Sequence, residues 1–295
     1  MSLSLAEAAK LSNDMVLQGV IETVVSDSDV LKYLPFLEIQ GNSLKYNREN
    51  AAASAAFYAV GDTWTESTTT FTQATSSLAI LGGDADVDDY IRKTRSNVQD
   101  VEAAILQLKA KAIAHKFEDT FINGAVATNS KSFDGLDALC AAGQKVSMGD
   151  NGATLTLAKL DEMIDKVMGG KPDLLLMSKR SRRKLKALRN ATGSNVVDTD
   201  IDAFGKRVTY YDGIPIAISD WISDAQTKGN QSASSMIYAM SFGEGAIAGL
   251  HNGGIQVEDI GRLETKDATR HRIKWYCGLA LFSTLKLARL EGVND

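Results

Sequence analysis

Three histidines, His115, His251 and His271, are the first side chains to weigh for chemistry. None is spaced from another histidine, a cysteine or a carboxylate as metal ligands usually are. His115 falls within a long helical pattern. His271 alternates with Arg270 and Arg272 along an extended one. Structural or surface roles are therefore expected for these imidazoles. The two cysteines, Cys140 and Cys277, are too few for a disulfide framework or a structural zinc site, and two buried thiols are expected. Asp84-Ala85-Asp86-Val87-Asp88 opens like a calcium loop. Its sixth position is Asp89 instead of glycine, and its twelfth is Arg95 instead of glutamate. A polar strand end is the better reading. No Gly-Lys-Ser/Thr follows a glycine-rich turn, Gly243-Glu244-Gly245 is too short for a dinucleotide fingerprint, and no serine sits in a nucleophile elbow. Asn190-Ala191-Thr192 and Asn230-Gln231-Ser232 are chance sequons if there is no secretory route. No catalytic residue, metal site or cofactor is expected. An enzyme built on Asp, Glu and Ser remains a minor alternative.

One charge cluster stands apart. Lys179, Arg180, Arg182, Arg183, Lys184, Lys186 and Arg189 crowd a single short helix, with Leu185 and Leu188 as its apolar contacts. One reading is a phosphate-binding face in which Arg182, Arg183 and Lys186 meet DNA. The other is a solvated face paired with acidic neighbours. The second is favoured, because no aromatics interleave for base stacking and the chain carries a net charge of −5.

The rest of the composition bounds the possibilities. At 295 residues, 44% of them apolar and 23% charged, the chain can bury a large core and is not disordered as a whole. No apolar run approaches the ~20 residues of a membrane helix. Met1-Ser2-Leu3-Ser4-Leu5-Ala6-Glu7 lacks the basic start and apolar stretch of a secretory leader.

Hydrophobic periodicity supplies the elements. Val16, Val20 and Val24 repeat every four residues beside Leu17, Ile21 and Val25. This makes an amphipathic segment in search of a partner surface, ended by Pro35. Leu44 and Tyr46 alternate with polar residues as in a strand. A Thr- and Ser-rich stretch from Thr63 to Ser77 follows, and Leu78 to Ile91 brings a second arm back. The whole reads as a long two-stranded excursion with a weakly hydrophobic tip. Such a hairpin is marginal in water and needs support from outside its own domain. Ser96 and Gln99 have capping-box spacing at the head of a helix over 96–123. Val98, Val101, Ile105, Leu108 and Ala112 form its main apolar stripe. Ile113, Phe117 and Phe121 lie on an adjoining track, and Asn123-Gly124 provides a left-handed stop. A helix over 157–168, a buried strand at 173–177, a helix over 179–190 capped by Ser178, and a strand pair at 208–218 turning on Asp212-Gly213 come next. Strands at 236–240, 245–250, 255–260 and 270–276 complete an α+β protein.

That order of elements resembles the major capsid protein family of tailed bacteriophages, which has the Hong Kong 97-like fold. Gly41-Asn42-Ser43-Leu44-Lys45-Tyr46-Asn47-Arg48 through Trp64-Thr65-Glu66 looks like the family's extended E-loop. Phe121-Ile122-Asn123-Gly124 followed by Phe133-Asp134-Gly135-Leu136 is similar to its spine-helix exit and Gly-Leu turn. Tyr210-Tyr211-Asp212-Gly213-Ile214-Pro215-Ile216 looks like a strand pair of the axial, or A, domain. Gly261-Arg262-Leu263 with Arg270-His271-Arg272-Ile273-Lys274-Trp275-Tyr276-Cys277-Gly278-Leu279 resembles the closing strand of the peripheral, or P, domain. The resemblance implies an N-terminal arm at 1–40, the E-loop at 41–92 and a P-domain at 93–172 with its spine helix at 96–123. It further implies an A-domain at 173–252, returning P-domain strands at 253–282 and a C-terminal segment at 283–295.

Membership of such a family implies a structural protein and no enzyme. It implies self-assembly into the hexamers and pentamers of an icosahedral head enclosing double-stranded DNA, held by non-specific contacts. The virion is the expected location, with assembly in the host cytoplasm and no membrane partner. Arg48, Phe57, Tyr58, Trp64 and Glu66 on the E-loop and Val16, Val20 and Val24 on the arm become candidate contacts between subunits. Some relatives cross-link an E-loop lysine to a P-domain asparagine. Here no lysine lies between Tyr46 and Arg92, and Lys45 sits at the loop base, so no such bond is expected. The E-loop begins near residue 41, which leaves no room for a long N-terminal scaffolding region. A separate scaffolding protein and a portal are implied, unless the chain is a processed form. An encapsulin-type nanocompartment shell is the alternative with the same fold.

Overall fold

The computed structural model describes residues 30–51, 56–64, 70–90, 101–192, 197–201 and 207–294. The arm residues Val16, Val20 and Val24, the loop residue Glu66 and the capping pair Ser96 and Gln99 lie outside them. No helix among the described residues is long and apolar enough to cross a membrane.

Four strands form one sheet. β1 (Phe36–Glu38), β13 (Ile247–Arg262), β14 (Ala268–Leu281) and β4 (Ala79–Asp88) lie in that order. Alternation gives β14 two faces. Ile273, Trp275 and Cys277 are fully buried on one, while Arg270, Arg272 and Lys274 line the other. The buried face receives α1 (Val101–Asn123), a helix of 23 residues and about 35 Å. Phe117 packs its ring 4.7 Å from that of Trp275.

α1 corrects the expected helical stripe. Leu106, Ala110, Ile113, Ala114, Phe117 and Phe121 are buried, whereas Leu108 is 67% exposed and Ala112 points to solvent. The two apolar tracks compete for one sheet. The track with two phenylalanines has the larger surface to bury, and it wins. The helix exit is also reached differently. Gly124 does not adopt a left-handed conformation. A Cβ there would stand 2.3 Å from the carbonyl oxygen of Thr120 and 2.4 Å from that of Phe133. The position needs glycine because two backbone segments touch it, not because its φ is positive.

The second sheet has nine strands. β5 (Lys145–Ser147), β15 (Leu287–Asn294), β12 (Gln231–Met240), β7 (Leu174–Met177), β10 (Ile214–Ile218), β9 (Arg207–Tyr211) and β8 (Val197–Ile201) follow in order. β6 (Ala153–Thr154) pairs with β15, and β11 (Gln226–Lys228) with β12. The β9–β10 hairpin turns on Asp212 and Gly213, both with positive φ, as a two-residue hairpin loop requires. This sheet separates two cores. Leu174, Leu176, Tyr238, Met240 and Leu287 join the first, with α1, the short α2 (Leu136–Leu139) and the four-stranded sheet. Leu175, Met177, Ile237, Ala239 and Leu290 join the second, under α3 (Leu157–Asp165) and α4 (Lys179–Thr192).

Two more sequence expectations need revision. The strands expected at 245–250 and 255–260 are one bent strand, β13. Its pairing with β14 shifts between His251 and Ile255, where Gly253 and Gly254 both take positive φ. The segment 283–295 carries β15, which lies inside the larger sheet and not at its edge.

Candidate assembly surfaces

The excursion is a two-stranded sheet of its own. β2 (Ser43–Ala51) pairs antiparallel with β3 (Thr70–Ser77) in a register running from Ser43↔Ser77 to Ala51↔Thr70. The returning arm is therefore β3. Residues 79–88, expected within that arm, belong to the four-stranded sheet as β4. Backbone geometry lets the hairpin form, but it encloses no core, so its hold on the body must come from side chains at its base.

Those contacts are present. Arg48 donates from Nε to the carbonyl oxygen of Leu281 at 2.9 Å, and from Nη2 to the hydroxyl of Tyr46 at 3.1 Å. The ring of Tyr46 lies 4.8 Å from that of Phe282, and its hydroxyl is 3.2 Å from the Ser76 hydroxyl. Leu44 and Leu78 pack with Ile39, Leu250 and Ala280 in a small separate cluster. Arg48, a candidate for contact with a neighbour, thus has its guanidinium on its own chain. Sequence reasoning singles out neither Tyr46 nor Phe282 as an anchor. The alternation of Leu44 and Tyr46 is the available signal, but Leu250, Ala280 and Phe282, which hold them to the body, lie far along the sequence.

The tip is the opposite. Ala59 to Asp62 form a turn in which Asp62 N–H donates to the Ala59 carbonyl. Gly61 takes φ +98°, and Asp62 Oδ2 accepts from Ala59 N–H at 2.6 Å. On this turn Phe57 and Val60 are fully exposed and Trp64 is 76% exposed. Tyr58 stacks on Trp64 with centroids 4.3 Å apart and planes at 21°. The structure therefore stacks Tyr58 on Trp64 and leaves Phe57 bare in the same segment, along with Val60, which no sequence signal marks.

In the calcium-like motif the first two carboxylates are engaged by arginines. Asp84 and Asp86 lie directly across from Arg272 and Arg270 on β14, each in a bidentate pair: 2.7 and 2.9 Å, and 2.6 and 2.8 Å. The arginine hydrogen bonds hold both carboxyls below their ordinary pKa. No group of three or more potential metal ligands occurs among the described residues. Cys140 and Cys277 are buried free thiols, and burial pushes Cys140 up to about 11. His251 is packed against Phe36 on β13, where burial lowers its pKa. His115 is on the outward face of α1, 5.8 Å from the ring of Trp221, and His271 is buried on β14.

The basic helix α4 divides in two. Ser178 caps it, accepting from Ser181 N–H at 3.3 Å. Lys179 pairs with Asp220 at 2.6 Å, and Arg180 lies 3.6 Å from Asp224 while donating to the Ala233 carbonyl. Leu185 and Leu188 face the second core. Arg182, Arg183 and Lys186 are exposed, and among the described residues no side chain pairs with theirs.

A helix-backed four-stranded sheet, a larger mixed sheet and a projecting hairpin define a shell-forming subunit with the Hong Kong 97-like fold. A model of the phage capsid family matches residues 11–290, and the chain belongs to that family. It is a capsid protein, a structural component of the phage shell. No curated protein matches the chain in sequence. Solved structures share the fold at low identity. The SrpI encapsulin of Synechococcus elongatus PCC 7942 aligns at TM-score 0.73 and 19% identity, over 100% of this chain and 97% of that one. The capsid of a native GTA particle aligns at 0.66 and 14%, over 91% of each chain. A chain from Microbacterium phage Oxtober96 aligns at 0.65 and 14%, also over 91% of each.

Proposed function

We propose that this capsid protein assembles with copies of itself into the hexamers and pentamers of an icosahedral head that encloses double-stranded DNA. Its hairpin serves as the lattice arm. The four-stranded sheet with α1 acts as the P-domain. The nine-stranded sheet with α3 and α4 acts as the A-domain, so that 145–165 and 287–294 join the 173–240 span. A separate scaffolding protein and a portal complete the assembly in the host cytoplasm. The arm residues Val16, Val20 and Val24 and the loop residue Glu66 add further contacts between subunits.

One observation carries this reading: the hairpin is pinned at its base and bare at its tip. Burying Phe57 and Trp64 against a neighbour releases roughly 1.5–3 kcal/mol for each side chain. Repeated around a closed lattice, contacts of that size add into a stable container. Negative-stain microscopy of concentrated protein tests the proposal, with closed shells or ring capsomers expected. Phe57→Ser with Trp64→Ser is expected to abolish shells while leaving the circular dichroism spectrum unchanged. A compact monomer at all concentrations overturns the proposal.

The end-to-end match to an encapsulin favours a second reading, a nanocompartment shell with the same architecture. Contents separate the two. Nuclease-resistant DNA inside particles from the native host supports the head, and a co-purifying protein cargo supports the compartment.

A further inference from the structure

The outward face of α4 is built at an electrostatic disadvantage. Its fourteen residues, Lys-Arg-Ser-Arg-Arg-Lys-Leu-Lys-Ala-Leu-Arg-Asn-Ala-Thr, hold seven cations and no acidic residue, so no pair at i,i+3 or i,i+4 can neutralise them within the helix. The cations also crowd the helix N-terminus, the positive end of its dipole, and the first turn contains no carboxylate. Two are answered from outside, Lys179 by Asp220 and Arg180 by Asp224. Among the described residues Arg182, Arg183 and Lys186 are not, although most of the other internal ion pairs of this net-acidic chain are closed at 2.9 Å or less. Like charges at i, i+1 and i+4 on one face repel, and folding alone gains nothing from holding them together.

We infer that Arg182, Arg183 and Lys186 form a phosphate-binding face for the backbone of double-stranded DNA. This inference rests on the head reading above and names the surface that meets the DNA. Arg182 and Lys186 are about 6 Å apart along the helix axis. Two steps of one DNA strand cover nearly the same rise, at ~3.4 Å each. No aromatic side chain lies on this face, so contact is with phosphates and carries no sequence preference. Unlike an acidic protein surface, DNA offers negative charge at regular spacing whatever its register, which suits a subunit repeated many times over one polymer.

The test uses the full-length protein and a fluorescent 30-base-pair duplex of arbitrary sequence, with anisotropy read across a salt series. Three variants are compared with the parent. The first is Arg182→Gln with Arg183→Gln and Lys186→Gln. A control of equal net charge is Lys116→Gln with Lys131→Gln and Lys159→Gln. The third is Arg182→Lys alone, which keeps the charge. The parent's affinity is expected to fall with a log–log salt slope of about −3, for about three phosphates. The first variant loses tenfold or more in affinity and most of that slope. The control and the lysine variant stay within threefold of the parent. The first variant also keeps or raises its melting temperature, because repulsion is relieved, and still forms shells by microscopy. Equal binding by parent and first variant overturns the inference, as does a parent that binds no DNA. A first variant that binds DNA normally but no longer assembles makes this face a subunit contact instead, which also overturns it. If the parent forms no shells, the head reading has failed, whatever the binding result.

Discussion

Gly135 offers the sharpest test of how the helix exit is built. Its φ and ψ are −90° and −173°, an extended conformation open to any residue, so Gly135→Ala introduces no backbone strain. All the penalty is steric. The new Cβ would lie 2.5 Å from the carbonyl oxygen of Thr120, 2.7 Å from that of Phe121 and 2.8 Å from the amide nitrogen of Gly124. All three are backbone atoms, so no rotamer change relieves them. The strand of chain must retreat, and with it goes the Gly135 N–H to Gly124 carbonyl bond of 2.8 Å. Overpacking costs typically 1–3 kcal/mol and a lost hydrogen bond about 1. A destabilisation of about 3 kcal/mol is expected. At roughly 2 °C per kcal/mol for a chain of this size, the melting temperature falls by about 6 °C. Gly143→Ala is the matched control, since nothing lies within 4 Å of its Cβ. Urea unfolding followed by circular dichroism gives both values. A Gly135→Ala variant as stable as the control would refute the close-approach account of the Phe133-Asp134-Gly135-Leu136 turn.

Four further outcomes rest on the same geometry. Mature particles boiled in detergent run as a single band near 31.7 kDa, and a ladder of multiples would show a cross-link despite the absence of lysine from 46 to 92. Cys140 and Cys277 fail to react with a thiol reagent at pH 8 in the native protein and react fully in denaturant, because burial raises both pKa values; rapid native reaction contradicts that burial. Asp84 and Asp86 are depressed by their arginine bonds. Glu291 is pushed up by burial, but its bonds to Lys228 and Arg289 outweigh that and leave it depressed. Depressed carboxyls stabilise the fold above their ordinary pKa values, and that support is lost as pH falls through the folded ones. Urea midpoints should therefore stay level down to about pH 5 and drop below about pH 4, and the drop should shrink in Arg270→Gln with Arg272→Gln. Tyr58→Ala removes the ring that holds Trp64, an interaction of ~0.5–1.5 kcal/mol, so light scattering should show up to about a tenfold rise in the critical assembly concentration with no change in melting temperature.

The elements with local signals were legible in the sequence. Alternation placed β2, Ser178 marked the start of α4, and Asp212-Gly213 marked the β9–β10 turn, because each of these demands acts within a few residues. The failures share one cause, which is choice made at a distance. Residues 101–123 carry two apolar tracks, and only the sheet with Trp275 decides that Phe117 goes in and Leu108 stays out. Gly124 stands out in the sequence but for the wrong reason, since the Phe133 carbonyl that excludes a side chain comes from nine residues on. β15 escapes notice because Leu287-Ala288-Arg289-Leu290 breaks alternation. Both faces of that strand are covered, so Leu287 serves one core and Leu290 the other, while Arg289 is buried against Asp137 and Glu291. At the candidate site the tip aromatics are visible by composition alone. Their stacking, and the anchoring of Arg48 to its own chain, need three-dimensional neighbours.

The contrast between the two ends of the hairpin is the physical basis for a division of labour in the chain. If the base were not anchored, the arm would sample many directions, and each contact would have to order the whole hairpin before gaining anything. Arg48 on the Leu281 carbonyl and Tyr46 on Phe282 remove that freedom during folding, when the body's own cores supply the driving force. The stacking of Tyr58 on Trp64 does the same for the tip side chains. What is left unsatisfied is apolar surface on Phe57, Val60 and Trp64, and such surface makes no directional demand. It tolerates the small changes of angle that the proposed head would ask of one subunit in five-fold and six-fold surroundings. Hydrogen bonds at the tip would tie the arm to one angle. The placement of directional contacts at the base and non-directional ones at the tip is what a single polypeptide needs to close a curved lattice.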